Sequence, residues 1–98
     1  MLNIFLNFGS KRGKKATVSE KCYLFILQDD SHYVKCAINF KNAVQELAIY
    51  YGEASEMFLK CMNGYSEDDI KGIVELYNHF AYTSIVKVYV IENMLYSE

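Results

Sequence analysis

The apolar and polar positions of this chain follow two periods, and the change from one to the other predicts where strands and helices lie. Stretches in which apolar residues alternate with polar ones, or form a short continuous run, are typical of β-strands. Four stretches have this pattern, and they span residues 2–8, 21–28, 33–40 and 85–91. The second and third are separated by the polar turn sequence Asp29-Asp30-Ser31-His32, so together they predict a β-hairpin.

Between residues 42 and 81 the apolar positions repeat at helical spacing instead. Two residue pairs have the spacing of a capping box and predict helix starts. They are Asn42 with Gln45, and Ser66 with Asp69. Asn63-Gly64 predicts the end of the first helical region. Gly52 lies inside that region, and the sequence leaves open whether residues 43–62 form one helix or two.

The element order β-β-β-α-α-β predicts an α+β fold in which a four-stranded antiparallel sheet has its helices packed on one face. A length of 98 residues with 52% hydrophobic content predicts a single domain over residues 1–98. The longest apolar run, which includes Tyr23 to Leu27, is far shorter than the roughly 20 residues that a membrane-spanning helix needs. No membrane partner is therefore expected.

The register of the hairpin decides which side chains share a face of the sheet. If Gln28 pairs with Tyr33, one face is wholly apolar, and the helices are expected to cover it. Its residues are Tyr23, Phe25, Leu27, Val34, Cys36 and Ile38. The opposite face is the predicted partner-binding surface, formed by Phe5, Tyr33, Lys35, Lys87 and Tyr89, with Leu24, Ile26, Ala37 and Ile85 between them. A slip of one residue would exchange the two faces, so which face is covered stays open.

A surface that mixes apolar and aromatic side chains is typical of a protein interface. The expected partner is therefore another protein, and the same face could instead join two copies of this chain. A stacking platform for single-stranded RNA is a third alternative, although the predicted element order differs from that of an RNA-recognition motif.

Charge is distributed unevenly along the chain. Four of the ten basic residues lie within five positions of the predicted loop that follows the first strand; they are Lys11, Arg12, Lys14 and Lys15. Residues 16–98 carry six bases and twelve acids, so the body of the chain is acidic. The basic loop predicts contact with an anionic partner, such as nucleic acid, with an affinity that falls steeply with salt. Its glycine spacing differs from that of a P-loop, so no nucleotide site is predicted.

Acidic residues concentrate in the two predicted helical regions. Those that could present a negative surface are Glu53, Glu56, Glu67, Asp68 and Asp69. A solvated helical face is the ordinary interpretation of such a group. The alternative is a surface that imitates the phosphates of a nucleic acid and occupies a basic groove.

The three cysteines, Cys22, Cys36 and Cys61, form an odd and sparse set for a small secreted scaffold. They predict reduced, buried thiols in a cytoplasmic protein, and none has the sequence context of an activated nucleophile. His32 follows two aspartates and is a weak candidate metal ligand. No catalytic residue, metal or cofactor is therefore predicted, and the chain is expected not to be an enzyme.

These features together predict a non-catalytic protein-binding module that inhibits or regulates a larger protein by occupying its surface. Seven asparagines, nine lysines and one arginine are typical of an AT-rich genome. A phage or mobile-element inhibitor of host machinery, of the anti-CRISPR type, would have this size and composition. A small nucleic-acid-binding regulator that uses the loop 11–15 is the alternative.

Overall fold

The computed structural model describes residues 20–98, in the element order β-β-α-α-α-β-β. The strands are β1 (Lys21–Leu27), β2 (His32–Ala37), β3 (Ile85–Val90) and β4 (Asn93–Ser97). The helices are α1 (Phe40–Tyr50), α2 (Glu56–Met62) and α3 (Ile70–Phe80). All four strands form one antiparallel sheet in the order β2-β1-β3-β4. The predicted α+β class with a four-stranded antiparallel sheet is therefore confirmed.

The set of strands differs from the predicted set. The predicted strand 2–8 lies outside the described residues, and the fourth strand of the sheet is β4, which the sequence pattern does not predict. The turn that precedes β4 is Ile91-Glu92, and Ile91 has a φ of 53°. A hairpin turn of this kind is ordinarily signalled by glycine or asparagine. Isoleucine in the left-handed region gives no such signal, so the hairpin cannot be recognised from sequence.

The hairpin of β1 and β2 pairs in a register three residues away from the predicted one. Phe25 lies opposite Tyr33, whereas the prediction placed it opposite Cys36. The loop has three residues, Gln28 to Asp30, and the Leu27 N–H donates to the Ser31 carbonyl across it at 2.9 Å. Asp30 takes the left-handed φ of 69° that three-residue loops use.

This register exchanges the two sets of side chains on β2, because side chains alternate between faces with a period of two. Tyr33 and Lys35 lie on the side of Phe25, which the helices cover. Val34 and Ile38 are 64% and 50% exposed, so their predicted place in the core is wrong. The Asp29 carboxylate fixes the turn by accepting hydrogen bonds from the N–H and the hydroxyl of Ser31.

A bulge opposite Ile26 and Leu27 interrupts the alternation of β3. Ile85 pairs with Leu27 and is fully buried, as is Val88 further along the strand. The prediction that Ile85 joins the face opposite the helices is therefore wrong. A bulge inserts one extra residue, so the side chains on either side of it no longer follow one alternation.

A single hydrophobic cluster fills the space between the sheet and the helices, and every helix contributes to it. Its largest fully buried side chains are Tyr23, Phe25, Leu27, Phe40, Leu47, Phe58, Met62, Ile73, Tyr77 and Ile85. Each such side chain contributes about 1.5–3 kcal/mol when it leaves water. The helical spacing predicted up to residue 81 is confirmed in α3, where Ile73, Val74 and Tyr77 are buried.

The helices begin at capping residues that differ from the predicted ones. The Asn39 side chain accepts from the Asn42 N–H at 2.8 Å, so α1 begins earlier than the predicted start at Asn42. Asp69 caps α3 through the Gly72 N–H, and the predicted Ser66 cap is wrong. Asn39 and Asp69 are of residue types that fill the cap position as readily as the predicted Asn42 and Ser66, which explains the ambiguity.

The question at Gly52 is settled in favour of two helices. Gly52 has a φ of 72°, which glycine adopts without steric cost and which a continuing α-helix does not allow. The chain leaves the helical conformation there, and the Ser55 hydroxyl accepts from the Phe58 N–H to begin α2. No helix within residues 20–98 has both the length and the apolar content to cross a membrane.

The prediction that the cysteines are reduced, buried thiols is wrong. Cys22 and Cys36 lie directly opposite each other on β1 and β2 and form a disulfide. Both are exposed, and Cys61 is an exposed free thiol on α2. The shifted hairpin register is the cause, because it brings the two cysteines together on the face that the helices do not cover.

Candidate binding surfaces

The face of the sheet opposite the helices is largely apolar, and no helix within residues 20–98 covers it. This outer face consists of Cys22, Leu24, Ile26, His32, Val34, Cys36, Lys87, Tyr89, Met94 and Ser97. Strand pairing places Val34, Leu24, Tyr89 and Met94 in one row across all four strands. A continuous apolar row of this kind is unusual on a face that stays in water.

Exposure separates the outer face from the helix-covered face. Val34 and Met94, at the two edges of the apolar row, are 64% and 56% exposed. Leu24 and Tyr89, in the middle of the row, are half-buried by their own neighbours. Lys87 supplies a positive charge, and none of the four strands contains an aspartate or glutamate. The outer face is therefore apolar and weakly basic on an acidic protein.

The structure divides the predicted partner-binding residues between two faces. Lys87 and Tyr89 lie on the outer face, as predicted, beside Ile26 and Leu24. Tyr33 and Lys35 lie on the opposite side of the sheet, so their grouping with Lys87 and Tyr89 is wrong, and the hairpin register is the reason. Phe5 lies outside the described residues. The role of these side chains in binding stays a prediction.

Tyr33 and Lys35 contact the helical layer at the β2 edge. The Tyr33 ring packs against Tyr50, with ring centroids 4.9 Å apart, and against Tyr51 at 6.2 Å. Lys35 Nζ is 3.7 Å from Glu46 Oε1, and both side chains are partly exposed. Partial burial raises the pKa of the Tyr33 hydroxyl. These contacts make both residues part of the packing of α1 against the sheet.

The predicted acidic surface is dispersed over helix ends and loops. Asp68 Oδ1 accepts from the Phe40 N–H at 3.2 Å, and Asp69 caps α3. Glu53 Oε2 accepts from the Tyr82 N–H at 2.8 Å. Glu67 lies in the turn before α3, and Glu56 alone lies on a helix, in the first turn of α2. Three of the five carboxylates therefore bind backbone N–H groups, which gives them a structural role.

The basic loop that contains Lys11, Arg12, Lys14 and Lys15 lies outside the described residues. His32 is the first residue of β2, on the outer face. Over the described part of the chain, no three His, Cys, Asp or Glu side chains gather into a group that could hold a metal ion.

A cavity of about 240 Å³ opens at the end of the molecule where three loops meet. This tyrosine pocket is lined by Leu27, Asp29, Tyr51, Glu53, Tyr77, Tyr82 and Thr83. Its walls come from the β1–β2 turn, the segment after α1, α3 itself and the loop before β3. Sequence reasoning did not identify it, because residues from four distant segments form it and no local spacing relates them.

The segments around the tyrosine pocket are fixed to one another by hydrogen bonds. The Gln28 N–H donates to the Ser84 carbonyl at 2.8 Å, which joins the β1–β2 turn to the loop before β3. Glu53 joins that loop to the segment after α1 through the Tyr82 N–H. Asn78 holds the beginning of β3 by hydrogen bonds to both the N–H and the carbonyl of Ile85.

No protein-family model matches this chain, and no match was found among the curated proteins or the solved structures. Its function is therefore argued from the outer face and the tyrosine pocket.

Proposed function

We propose that this chain is a non-catalytic protein-binding module that inhibits or regulates a larger protein by occupying its surface. The observation that supports the proposal is the outer face, on which apolar side chains of all four strands stand exposed or half-buried within the described residues. Contiguous apolar patches on a protein surface are characteristic of binding sites.

The size of the outer face indicates how much of an interface it can supply. Four strands spaced by about 4.8 Å, with about six residues each at about 3.3 Å, present a flat area of about 400 Å². A stable interface buries about 800 Å² of each partner. The contact therefore has to extend over the adjoining turns, where Ile38 and Ile91 are 50% and 81% exposed.

Charge favours a different protein over a second copy of this chain. Lys87 is a positive charge on a face whose strands carry no carboxylate. Two copies joined face to face would bury two lysines on a surface without a partner for either, and an unpaired buried charge is costly. The expected partner surface is apolar and carries an aspartate or glutamate opposite Lys87.

The narrower hypothesis concerns the target. An inhibitor of host machinery, encoded by a phage or mobile element and active in the cytoplasm, is supported by size and composition alone. It therefore stays a prediction, and the outer face supports only the broader function.

The outer face is tested with the double variant Val34→Asp/Met94→Asp. The matched control is Ile49→Asp/Met57→Asp, which places the same charges on the helical layer, where Ile49 and Met57 are each 60% exposed. Tagged protein is used to capture a partner from nuclease-treated bacterial lysate, and the purified partner is then titrated calorimetrically. We expect the control to bind like the wild type and the outer-face variant to bind at least tenfold more weakly, roughly 1.4 kcal/mol. Equal affinity of both variants would show that the partner binds elsewhere on the protein.

Other occupants of the outer face give different results in the same series. A dimer in light scattering that Val34→Asp/Met94→Asp dissociates would identify a second copy. A photo-cross-link from position 89 to residues 1–19 of the same chain would show that the chain covers its own face. Capture that disappears with nuclease, and with Lys14→Glu/Lys15→Glu, would replace this proposal with the nucleic-acid-binding alternative.

A further inference from the structure

The tyrosine pocket has the chemistry of a site for a cation. Three of its lining residues are tyrosines and two are carboxylates, whereas no lysine, arginine or histidine lines it. The electron-rich faces of aromatic rings attract cations, and carboxylates accept hydrogen bonds from them. Tyr82, at the mouth, is 96% exposed, so its ring has room to pack on a bound group.

Both carboxylates keep an oxygen that no donor within residues 20–98 occupies. Glu53 Oε2 accepts from the Tyr82 N–H, and Glu53 Oε1 accepts from none of these residues. Asp29 Oδ1 takes both hydrogen bonds from Ser31, which leaves Asp29 Oδ2 available. Each carboxylate therefore keeps acceptor capacity beyond its hydrogen bonds to Ser31 or Tyr82.

Tyr77 provides an independent indication of a ligand. Its side chain is 1% exposed and lines the pocket, yet its hydroxyl forms no hydrogen bond to any of residues 20–98. Buried polar groups are nearly always hydrogen-bonded, so an unpaired buried hydroxyl requires an explanation. Burial and the negative charge of Glu53, which lines the same pocket, raise the pKa of Tyr77.

We propose that the tyrosine pocket binds a guanidinium group. A guanidinium is planar and stacks on aromatic rings, and its five N–H donors match the free oxygens of Glu53 and Asp29 and the hydroxyl oxygen of Tyr77. The cavity of about 240 Å³ is smaller than the roughly 300–1,000 Å³ of sites for drug-sized ligands, so it suits one side chain or a small amine. The proposed function uses the outer face, whereas the tyrosine pocket lies on the helix-covered side of the sheet. This inference therefore goes beyond the proposed function.

The guanidinium has two chemical sources, which the experiment separates. The protein is titrated with agmatine, a free alkylguanidine, and with an acetylated and amidated Gly-Arg-Gly peptide. The same peptide with citrulline in place of arginine has the same shape without the charge. Binding is followed by the backbone amide shifts of Tyr51, Glu53 and Tyr82 in a ¹⁵N-labelled sample.

We expect at least one arginine-type probe to bind and the citrulline peptide to bind at least tenfold more weakly. Preference for agmatine identifies a free cation as the ligand, and preference for the peptide identifies an arginine of a partner protein. Absence of binding by both probes at 10 mM, or equal binding of the citrulline peptide, would overturn the inference. A dissociation constant above 10 mM is about 10⁴-fold weaker than that of a 1 μM site.

Variants locate the contacts. Asp29→Asn/Glu53→Gln removes both charges but keeps the oxygens that accept from Ser31 and Tyr82. We expect it to weaken binding about tenfold or more, as for hydrogen bonds to charged groups. The control Glu56→Gln/Glu75→Gln changes two exposed acids that do not line the pocket and is expected to bind within about twofold of wild type. Equal affinity of the two double variants would overturn the inference.

Tyr77→Phe keeps the ring and removes only the hydroxyl. It is expected to weaken binding several-fold while the protein remains folded, because one acceptor is lost and no cavity is created. Unchanged affinity in this variant would remove Tyr77 from the site and overturn the proposal in its present form. Val34→Asp/Met94→Asp changes the outer face and leaves the tyrosine pocket intact, so it is expected to bind the probes like the wild type. The pocket and the outer face are therefore tested separately.

Discussion

The two faces of the sheet use alternate residues of the same strands, and both are apolar, yet their environments differ. In β1 the helix-covered side chains Tyr23, Phe25 and Leu27 are 2%, 0% and 1% exposed. Leu24 and Ile26, between them, are only half-buried. A strand that is apolar on both sides ordinarily belongs to a sheet that is covered on both sides. An apolar residue in a strand can therefore lie in the core or on a surface, depending on which elements pack against it.

The largest expected effect comes from truncating a side chain on the helix-covered face. Phe25→Ala should destabilise the protein by about 3–5 kcal/mol, because it removes a fully buried ring and leaves a cavity. Leu24→Ala, one residue away, should cost about 1 kcal/mol or less, since that side chain is half-buried. Urea unfolding followed by circular dichroism measures both.

If Phe25→Ala does not fold, Phe25→Leu keeps the comparison measurable, with an expected cost nearer 1 kcal/mol. A loss of about 2 kcal/mol or more for Leu24→Ala, as for a fully buried leucine, would contradict the assignment and would show that the outer face is buried in the intact protein as deeply as the other.

The second largest effect concerns the disulfide, which holds the hairpin in the register that separates the faces. Cys22 and Cys36 are 14 residues apart, and closing a loop of this length is worth about 3 kcal/mol in the chain-entropy account. We expect Cys22→Ser/Cys36→Ser to lose about 2–3 kcal/mol in urea unfolding, and Cys61→Ser to change little.

A thiol assay tests the same pairing directly. Protein purified without reductant should show one reactive thiol, Cys61, and three after reduction. Three reactive thiols in the unreduced protein would show that Cys22 and Cys36 are reduced, as the sequence predicts. Their exposure would still differ from the predicted burial.

A smaller effect is expected at the turn that sets the register. Asp30 is in the left-handed region, where a β-branched residue is disfavoured and glycine is not. Asp30→Val should therefore lose about 1 kcal/mol, whereas Asp30→Gly should stay within about 0.5 kcal/mol of wild type. Urea unfolding measures both, and equal stability of the two variants would show that the loop conformation is not what fixes the pairing of β1 with β2.

The smallest effect at neutral pH is expected for Tyr77→Phe, which should be neutral or stabilising by up to about 1 kcal/mol, because it removes a buried hydroxyl that has no hydrogen-bond partner among residues 20–98. At high pH the effect grows. Burial raises the pKa of Tyr77 above its ordinary value of 10.0, so above that pH the unfolded chain binds fewer protons than the folded one. Stability should therefore fall as the pH rises beyond about 10, and less steeply in Tyr77→Phe.

Urea unfolding at pH 8 to 11 checks the alkaline prediction. Burial also raises the pKa of Tyr23 and Tyr33, so the variant should reduce the slope and not abolish it. Identical slopes for wild type and variant would mean that the Tyr77 hydroxyl titrates as it does in the unfolded chain.

The elements that sequence patterns predict correctly are those whose signals are local. The continuous apolar run of β1 predicts a strand, and the helical spacing around Ile73 and Tyr77 predicts a helix and the side chains that it buries. The polar turn at Asp29-Asp30 marks the hairpin. From these elements the α+β class and the antiparallel sheet follow, because few other arrangements bury their apolar sides together.

Features that depend on contacts between separate segments of the chain follow only from the folded structure. The three-residue loop, ending in the left-handed Asp30, fixed the register and thereby sent Tyr33 and Lys35 to one face and Val34 to the other. Since a strand carries apolar side chains at odd and even positions alike, its alternation could not choose between these faces. The Cys22–Cys36 disulfide follows from this register, and the tyrosine pocket forms only where the sheet and the helices pack together.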